Sequence, residues 1–175
     1  MSDTTRPRLV IIGPPGAGKT SVGRVLAARW GVEFRDSDAD IEVAAGKPVS
    51  DIFVDDGEAV FRRIESSLVS AALDSHDGVL ALGGGAVVDS DTRQTLVGRR
   101  VVFLDVGLAA AASRVGLGTT RPLLLGNVRT QLKTLLDARR PLYREAAWLT
   151  VVTDDLSVDE VADAVEDALD AKQAP

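Results

Sequence analysis

The chain contains no cysteine and a single histidine, His76. Without thiols, disulfides, thiolate metal sites and cysteine nucleophiles are excluded. One histidine excludes His-rich zinc sites and argues against a Ser-His-Asp triad. Aromatic residues make up 4% of the chain, and no basic run interleaves with them, so nucleic acid is not an expected partner. Long apolar runs are missing too. The longest uncharged stretches, around Leu9–Gly18 and Gly78–Val88, fall short of the ~18 residues that a membrane span needs. No basic segment followed by an apolar one opens the sequence, so no signal peptide is expected. The expectation is a cytoplasmic protein without a membrane partner, monomeric by default.

What is present is ordinary for a globular chain: 175 residues, 45% hydrophobic and 26% charged, the size of one domain covering 1–175. The net charge of −6 is a local property. Eight of the 26 acids lie between Asp154 and Asp170, and the chain before Asp154 holds 18 acids against 19 bases, Lys172 being the only base after it. That acidic segment is expected to form the solvated face of a helix. Of the 20 bases, 16 are arginine, a bias that suits bidentate recognition of phosphate or carboxylate and that genomic base composition explains equally well.

Short β-branched runs alternate with helical patterns, which predicts βαβ units and a parallel sheet. Strands are expected at Leu9–Ile12, Val32–Arg35, Gly78–Leu82, Val101–Leu104 and Leu149–Thr153. Helices are expected over Lys19–Trp30, Asp38–Ala45, Glu58–Leu73 and Asn127–Arg139. A final helix should follow the capping box Ser157-Val158-Asp159-Glu160, with Val158, Val161, Val165 and Leu169 on one face. Gly116–Gly126 reads as a mobile loop. Five strands with interleaved helices make a three-layer α/β sandwich.

Gly13-Pro14-Pro15-Gly16-Ala17-Gly18-Lys19-Thr20 matches G-x-x-x-x-G-K-[ST] at every fixed position, between a buried strand and a helix. Glycines let backbone N–H groups turn around phosphates, and the helix N-terminus adds a positive dipole end. Lys19 would bridge the transferring phosphate, and the Thr20 hydroxyl would bind Mg²⁺. A nucleoside triphosphate is therefore the expected ligand. A GTP switch protein is disfavoured: the only asparagine, Asn127, precedes Val128, and no glycine has an aspartate three residues before it. A large motor or transporter ATPase is excluded by length and by Gly83, which stands where a Walker B carboxylate would close the strand.

A small-metabolite kinase remains, and other residues bear on its acceptor. Asp36 and Asp38 fall at the carboxyl end of the second strand, where α/β sheets bind ligands. Two residues apart on an extended segment, they would lie on the same side. One can hold magnesium through water while the other takes hydrogen bonds from a hydroxyl acceptor. Asp40 and Glu42 read as solvated helix residues. Phe61-Arg62-Arg63-Ile64-Glu65 is either a ligand site or a surface ion-pair ladder. Gly83-Gly84-Gly85 either allows close backbone approach to a ligand or is a flexible turn.

Six separated motifs occur in one order: Gly16-Ala17-Gly18-Lys19-Thr20, Asp36-Ser37-Asp38, Gly57-Glu58 with Phe61-Arg62-Arg63-Ile64-Glu65, Leu82-Gly83-Gly84-Gly85-Ala86, Thr120-Arg121-Pro122-Leu123-Leu124 and Arg139-Arg140-Pro141-Leu142-Tyr143. From about Leu9 to Thr153 the chain closely resembles shikimate kinases. The resemblance implies a P-loop kinase fold of the nucleoside-monophosphate-kinase-like type, with a mobile lid over about 114–126. It also implies transfer of the γ-phosphate of ATP to the 3-hydroxyl of shikimate, on the route to chorismate and aromatic amino acids, with Mg²⁺. By similarity, Gly16, Ala17, Gly18, Lys19, Thr20 and Ser21 would hold the nucleotide, and Thr20 and Asp36 the metal. Arg62 and Arg139 would clamp the shikimate carboxylate. Asp38 would hold ring hydroxyls and orient or deprotonate the attacking one, and Gly84, between Gly83 and Gly85, would give a backbone donor. Val49, Phe53 and Phe61 match the apolar wall beneath the ring, Arg121 the lid arginine, and Arg114 a residue packing on adenine. The stretch Thr153-Asp154-Asp155-Leu156-Ser157 departs from the Asn- and Pro-containing adenine loop of many members. A kinase for another polyhydroxylated acid, such as gluconate, would have no reason to keep Asp38, Arg62, Gly84 and Arg139 together.

Overall fold

The computed structural model describes residues 6–115 and 122–174, with side chains left aside for 122–127. Strand β1 (Leu9–Ile12) is buried along its whole length. Each of its four apolar side chains contributes about 1.5–3 kcal/mol by leaving water, which makes it the natural centre of a sheet. It pairs in parallel with β3 (Val79–Ala81) on one side and β4 (Val101–Asp105) on the other. Strand β2 (Phe34–Asp36) extends the β3 edge and β5 (Leu149–Val152) the β4 edge. The order is β2-β3-β1-β4-β5, all parallel.

The period of two along β1 divides the core. Leu9 and Ile11 face one layer, with Leu26 of α1 (Lys19–Trp30) and Val161, Val165 and Leu169 of α8 (Val158–Gln173). Val10 and Ile12 face the other, with Val69 and Leu73 of α4 (Glu58–Ser75), Leu96 of α5 (Ser90–Leu96) and Tyr143 of α7 (Pro122–Ala146). A third cluster joins Ile41 of α2 (Ser37–Ala45), Ile52 of α3 (Val49–Asp55) and Phe61. A short helix, α6 (Leu108–Arg114), follows β4. Among the described residues no helix is long and apolar enough to cross a membrane.

The five expected strands and the three layers are present, with shifted ends. The second strand starts at Phe34 rather than Val32, because its ladder begins where Phe34 meets Val79. Three seven-residue helices, α3, α5 and α6, were not expected. Their patterns span barely two turns, and tertiary packing stabilises them. Helix α7 starts before Asn127 and runs through Pro141, where one N–H is missing. Arg140 bound to Asp105 (3.2 Å) and the buried Tyr143 hold the helix across that point. The acidic C-terminal helix is not merely solvated. Arg29 meets Asp163 at 2.8 Å and Glu166 at 2.7 Å, and the Trp30 indole donates to Glu166. The central part of the expected lid, 116–121, lies outside the described residues, and Arg121 with it.

Candidate active site

Because β2, β3 and β1 are neighbours, the three loops at their carboxyl ends lie side by side, at the place where the chain crosses to opposite sides of β1. This is where open α/β sheets bind ligands. After β1 the chain turns through Gly16 and Gly18 at φ 81° and 90°, left-handed conformations that glycine adopts without the Cβ penalty. At Gly16 space is short as well, since a Cβ would lie 2.9 Å from the Ala111 carbonyl. Lys19 opens α1, and its Nζ curls back to donate to the Gly13 and Pro14 carbonyls at 2.7 and 3.0 Å. Burial pushes this ammonium down from 10.5 to about 8. The Asp38 and Asp36 carboxylates oppose that shift, and Arg139 adds to it. Lys19 is thus a cation short of counter-charge, positioned at the mouth of a phosphate-sized loop.

Asp36 and Asp38 do converge, but not on one extended segment as the spacing suggested. Asp36 ends β2 and caps α2, accepting from the Asp38 N–H at 2.9 Å, so Asp38 sits in the first helical turn. The cap is what bends the chain, since an aspartate here satisfies a helix donor that would otherwise lack a partner. The other oxygen of Asp36 accepts from the Thr20 hydroxyl at 3.0 Å. Asp38 is held above its usual carboxylate range by burial first and by Asp36 second, while Lys19 and Arg62 pull the other way. Asp40 is half-buried and pairs with Arg35 at 2.6 Å, while Glu42 is an exposed helix residue, as expected, and accepts from the Val49 N–H.

Arg62 comes from α4 and lies against Gly85. Its Nη1 meets Glu65 at 2.7 Å and its Nε is 3.6 Å from Glu58. Glu65 is buried, and burial raises its pKa against the pull of Arg62. The surface ion-pair reading therefore holds for Glu58, whereas the pair with Glu65 is buried, and the guanidinium also faces the glycine loop. A Cβ on Gly85 would lie 2.4 Å from Arg62 Nη2, and a Cβ on Gly83 would lie 2.4 Å from Asp38 Oδ1. The absent side chains make room for a carboxylate and a guanidinium at one edge. Gly84 packs toward Pro15 of the phosphate loop. Arg139, half-buried on α7, completes the group: its charge acts on Lys19, Glu65 and Tyr143. Phe53 and Phe61 pack with ring centroids 4.5 Å apart and planes tilted by 34°, beside Val49 in the third core cluster.

A cleft of about 540 Å³ opens on the other side of the phosphate loop, lined by Gly16 to Val22, including the exposed Ser21, and by Arg114 and the start of α8. Arg114 is fixed there by Thr153, whose carbonyl and hydroxyl accept at 2.7 and 3.0 Å, and it also reaches the Gly16 carbonyl. Leu156, Ser157, Val158 and Val161 form the far wall. Leu156 and Ser157 belong to the stretch set against the family's adenine loop, and Ser157 does accept from the Glu160 N–H to start α8. Ser37 and Tyr143 escaped the sequence reading as site residues because each looks like an ordinary helix or core position.

The profile of the shikimate kinase family matches residues 15–170. A shikimate kinase of Thermobifida fusca is 55% identical over 168 residues, covering 96% of this chain and 98% of that one. One from Saccharopolyspora erythraea is 54% identical over 169 residues, covering 96% and 97%. Among solved structures, shikimate kinase from Acinetobacter baumannii in complex with shikimate superposes with a TM-score of 0.89 at 35% identity, covering 98% of this chain and 97% of that one.

Proposed function

The chain belongs to the shikimate kinase family, and on that premise we propose that the cleft along its phosphate loop and the charged group beside the glycine loop together transfer the γ-phosphate of ATP to the 3-hydroxyl of shikimate. One observation carries the assignment of roles. A half-buried carboxylate, Asp38, and the Arg62 guanidinium meet a loop of three glycines at the carboxyl edge of the sheet, within reach of the charges of Lys19 and Arg139. A single-carboxylate, polyhydroxylated ring needs that set: cations for its carboxylate, an anion for its hydroxyls and backbone donors close by.

Asp38 accepts the proton of the attacking hydroxyl, and its raised pKa brings its basicity closer to the operating pH. Arg62 and Arg139 fork the acceptor carboxylate and so fix which hydroxyl faces the phosphate. Lys19 stabilises the charge on the transferring phosphoryl group. Thr20 and Asp36 fit Mg²⁺, since a hydroxyl and a carboxylate oxygen stand 3.0 Å apart and that ion takes one or two carboxylates plus phosphate and water oxygens. Among the described residues no group of three or more acidic or histidine ligands exists, which suits such a sparsely held ion. When bound, the metal neutralises phosphate charge. Arg114 and the first turn of α8 flank the nucleoside.

The test is ADP release from MgATP with shikimate, with gluconate in parallel. Stimulation by shikimate alone, at about 1–100 s⁻¹, is the expected result. Stimulation by gluconate alone, or by neither with ATP still bound, overturns the acceptor.

Two further outcomes follow from the charges. ATP binding restores the Lys19 ammonium, so it takes up a proton above pH 8: the free lysine, with its pKa of about 8, is then largely neutral, and the bound one is charged. Apparent ATP affinity falls as pH climbs past that value. Calorimetry at pH ~8.5 in buffers of different ionisation enthalpy reads this uptake directly, and heats independent of buffer would refute it. Arg62→Lys is expected to raise the shikimate KM by about 30-fold with little change for ATP, because one ammonium cannot hold Glu65 and fork a carboxylate together. An unaltered shikimate KM returns Arg62 to a purely structural ion pair.

A further inference from the structure

We propose that Ser37 and Tyr143 are positioning residues, two buried hydroxyls that pin the Gly83–Gly85 loop from opposite sides and thereby set shikimate binding. The inference rests on the roles given above to Asp38, Arg62 and Gly84.

Three successive glycines have the widest conformational choice of any tripeptide, so this loop does not hold its shape by backbone preference. Two side-chain bonds hold it, besides the backbone bonds that its carbonyls accept from Ala86 and Val88. The Gly83 N–H donates to Ser37 Oγ at 2.8 Å, and the Tyr143 hydroxyl donates to the Gly84 carbonyl. The first fixes the peptide unit before Gly83 and the second the unit after Gly84. The unit between them carries the Gly84 N–H, the donor assigned to the acceptor ring. Its own carbonyl, that of Gly83, accepts from the Ala86 N–H at 3.0 Å.

Both hydroxyls are themselves rigidly placed. Ser37 is 1% exposed, between the cap Asp36 and the base Asp38. Tyr143 is 1% exposed and stacked on Phe103, with ring centroids 4.9 Å apart. Its hydroxyl also takes a hydrogen bond from Arg139. Tyr143 therefore ties the glycine loop to the carboxylate clamp, and Ser37 ties it to the segment carrying the base. Burial pushes the phenol up to about 12, so it remains a donor across the working pH range. The loop has no slack, because the missing Cβ positions of Gly83 and Gly85 are already filled by Asp38 and Arg62. A shift of a few tenths of an ångström moves both groups. Neither hydroxyl lines the nucleotide cleft, which makes the effect selective.

Tyr143→Phe keeps the ring and removes the hydroxyl; Ser37→Ala removes the other. Each is expected to raise the shikimate KM about ten-fold and to leave the ATP KM within about two-fold. In an Arg139→Ala background Tyr143→Phe is expected to cost less than it does alone, since part of its action passes through that guanidinium. The Gly83 amide of the unmodified enzyme is expected to be protected from hydrogen exchange, and Ser37→Ala is expected to release it. A shikimate KM within about two-fold of the parent in either variant, parallel rises in both KM values, or an unprotected Gly83 amide overturns the inference. An unmodified enzyme that releases no ADP with shikimate overturns the functional reading beneath it, so the two failures are told apart.

Discussion

Replacing Lys19 with methionine is expected to lower kcat by about 10²–10³-fold, with a smaller effect on the shikimate KM. The side chain keeps its length and loses its charge. In the free protein that ammonium is buried and held by only two carbonyls, at 2.7 and 3.0 Å, and desolvation has already lowered its pKa to about 8. A charge left this poorly compensated gains most from the phosphoryl group whose negative charge it meets, and it gains more as that charge redistributes in transfer. Removing a preorganised charge of this kind costs ~3–4 kcal/mol in the transition state. The loss falls on kcat because the remaining loop N–H groups still bind ground-state phosphates. Steady-state kinetics with saturating MgATP makes the measurement, and turnover at the parental rate would remove the lysine from the chemistry.

Asp38→Asn is expected to be nearly as severe, at about 10²–10⁴-fold in kcat, the range for loss of a general base. The pH profile distinguishes proton transfer from mere shape. The reactive form of Asp38 is the carboxylate, and its pKa is raised above the ordinary 3.8 by burial and by Asp36. The rate therefore rises with pH as Asp38 deprotonates, and it is lost as pH falls through that raised value. In the asparagine variant the residual rate is expected to lose this acid limb. A variant that keeps both the rate and the limb would assign the base elsewhere. Stability moves the other way: a carboxylate whose folded pKa exceeds its unfolded one costs stability once both are ionised. Removing the charge is therefore expected to leave the melting temperature at neutral pH unchanged or higher.

The chemistry of the phosphate loop was legible residue by residue, because it depends on local backbone freedom and on a lysine and a hydroxyl next to it in sequence. So were the three central strands, whose apolar runs are buried on both faces, whereas the edge strands β2 and β5 are only partly buried. The family resemblance supplied Asp38, Arg62 and Arg139, and the fold places all three about the same loop. What a linear reading could not supply was the direction of side chains between elements. Asp36 and Asp38 looked equivalent on a period of two until a helix cap placed them on different elements. The acidic C-terminal segment looked like a solvated face until α1 brought Arg29 and Trp30 against it.

From its sequence alone, then, the chain determines a parallel α/β sheet and a phosphate loop, and its family resemblance singles out Asp38, Arg62 and Arg139. The sheet and the loop rest on interactions a few residues long, and periodicity and spacing record them. Only the tertiary structure decided that two missing Cβ atoms, at Gly83 and Gly85, make room for Asp38 and Arg62, and that hydroxyls at positions 37 and 143 hold the loop between them. Ser37 is 46 residues from Gly83 and Tyr143 is 59 from Gly84. Contacts at that separation exist only after the strand order β2-β3-β1-β4-β5 has brought the loops to one edge. Burial, which turns two ordinary hydroxyls into fixed partners, is a property of that packing and not of the residues.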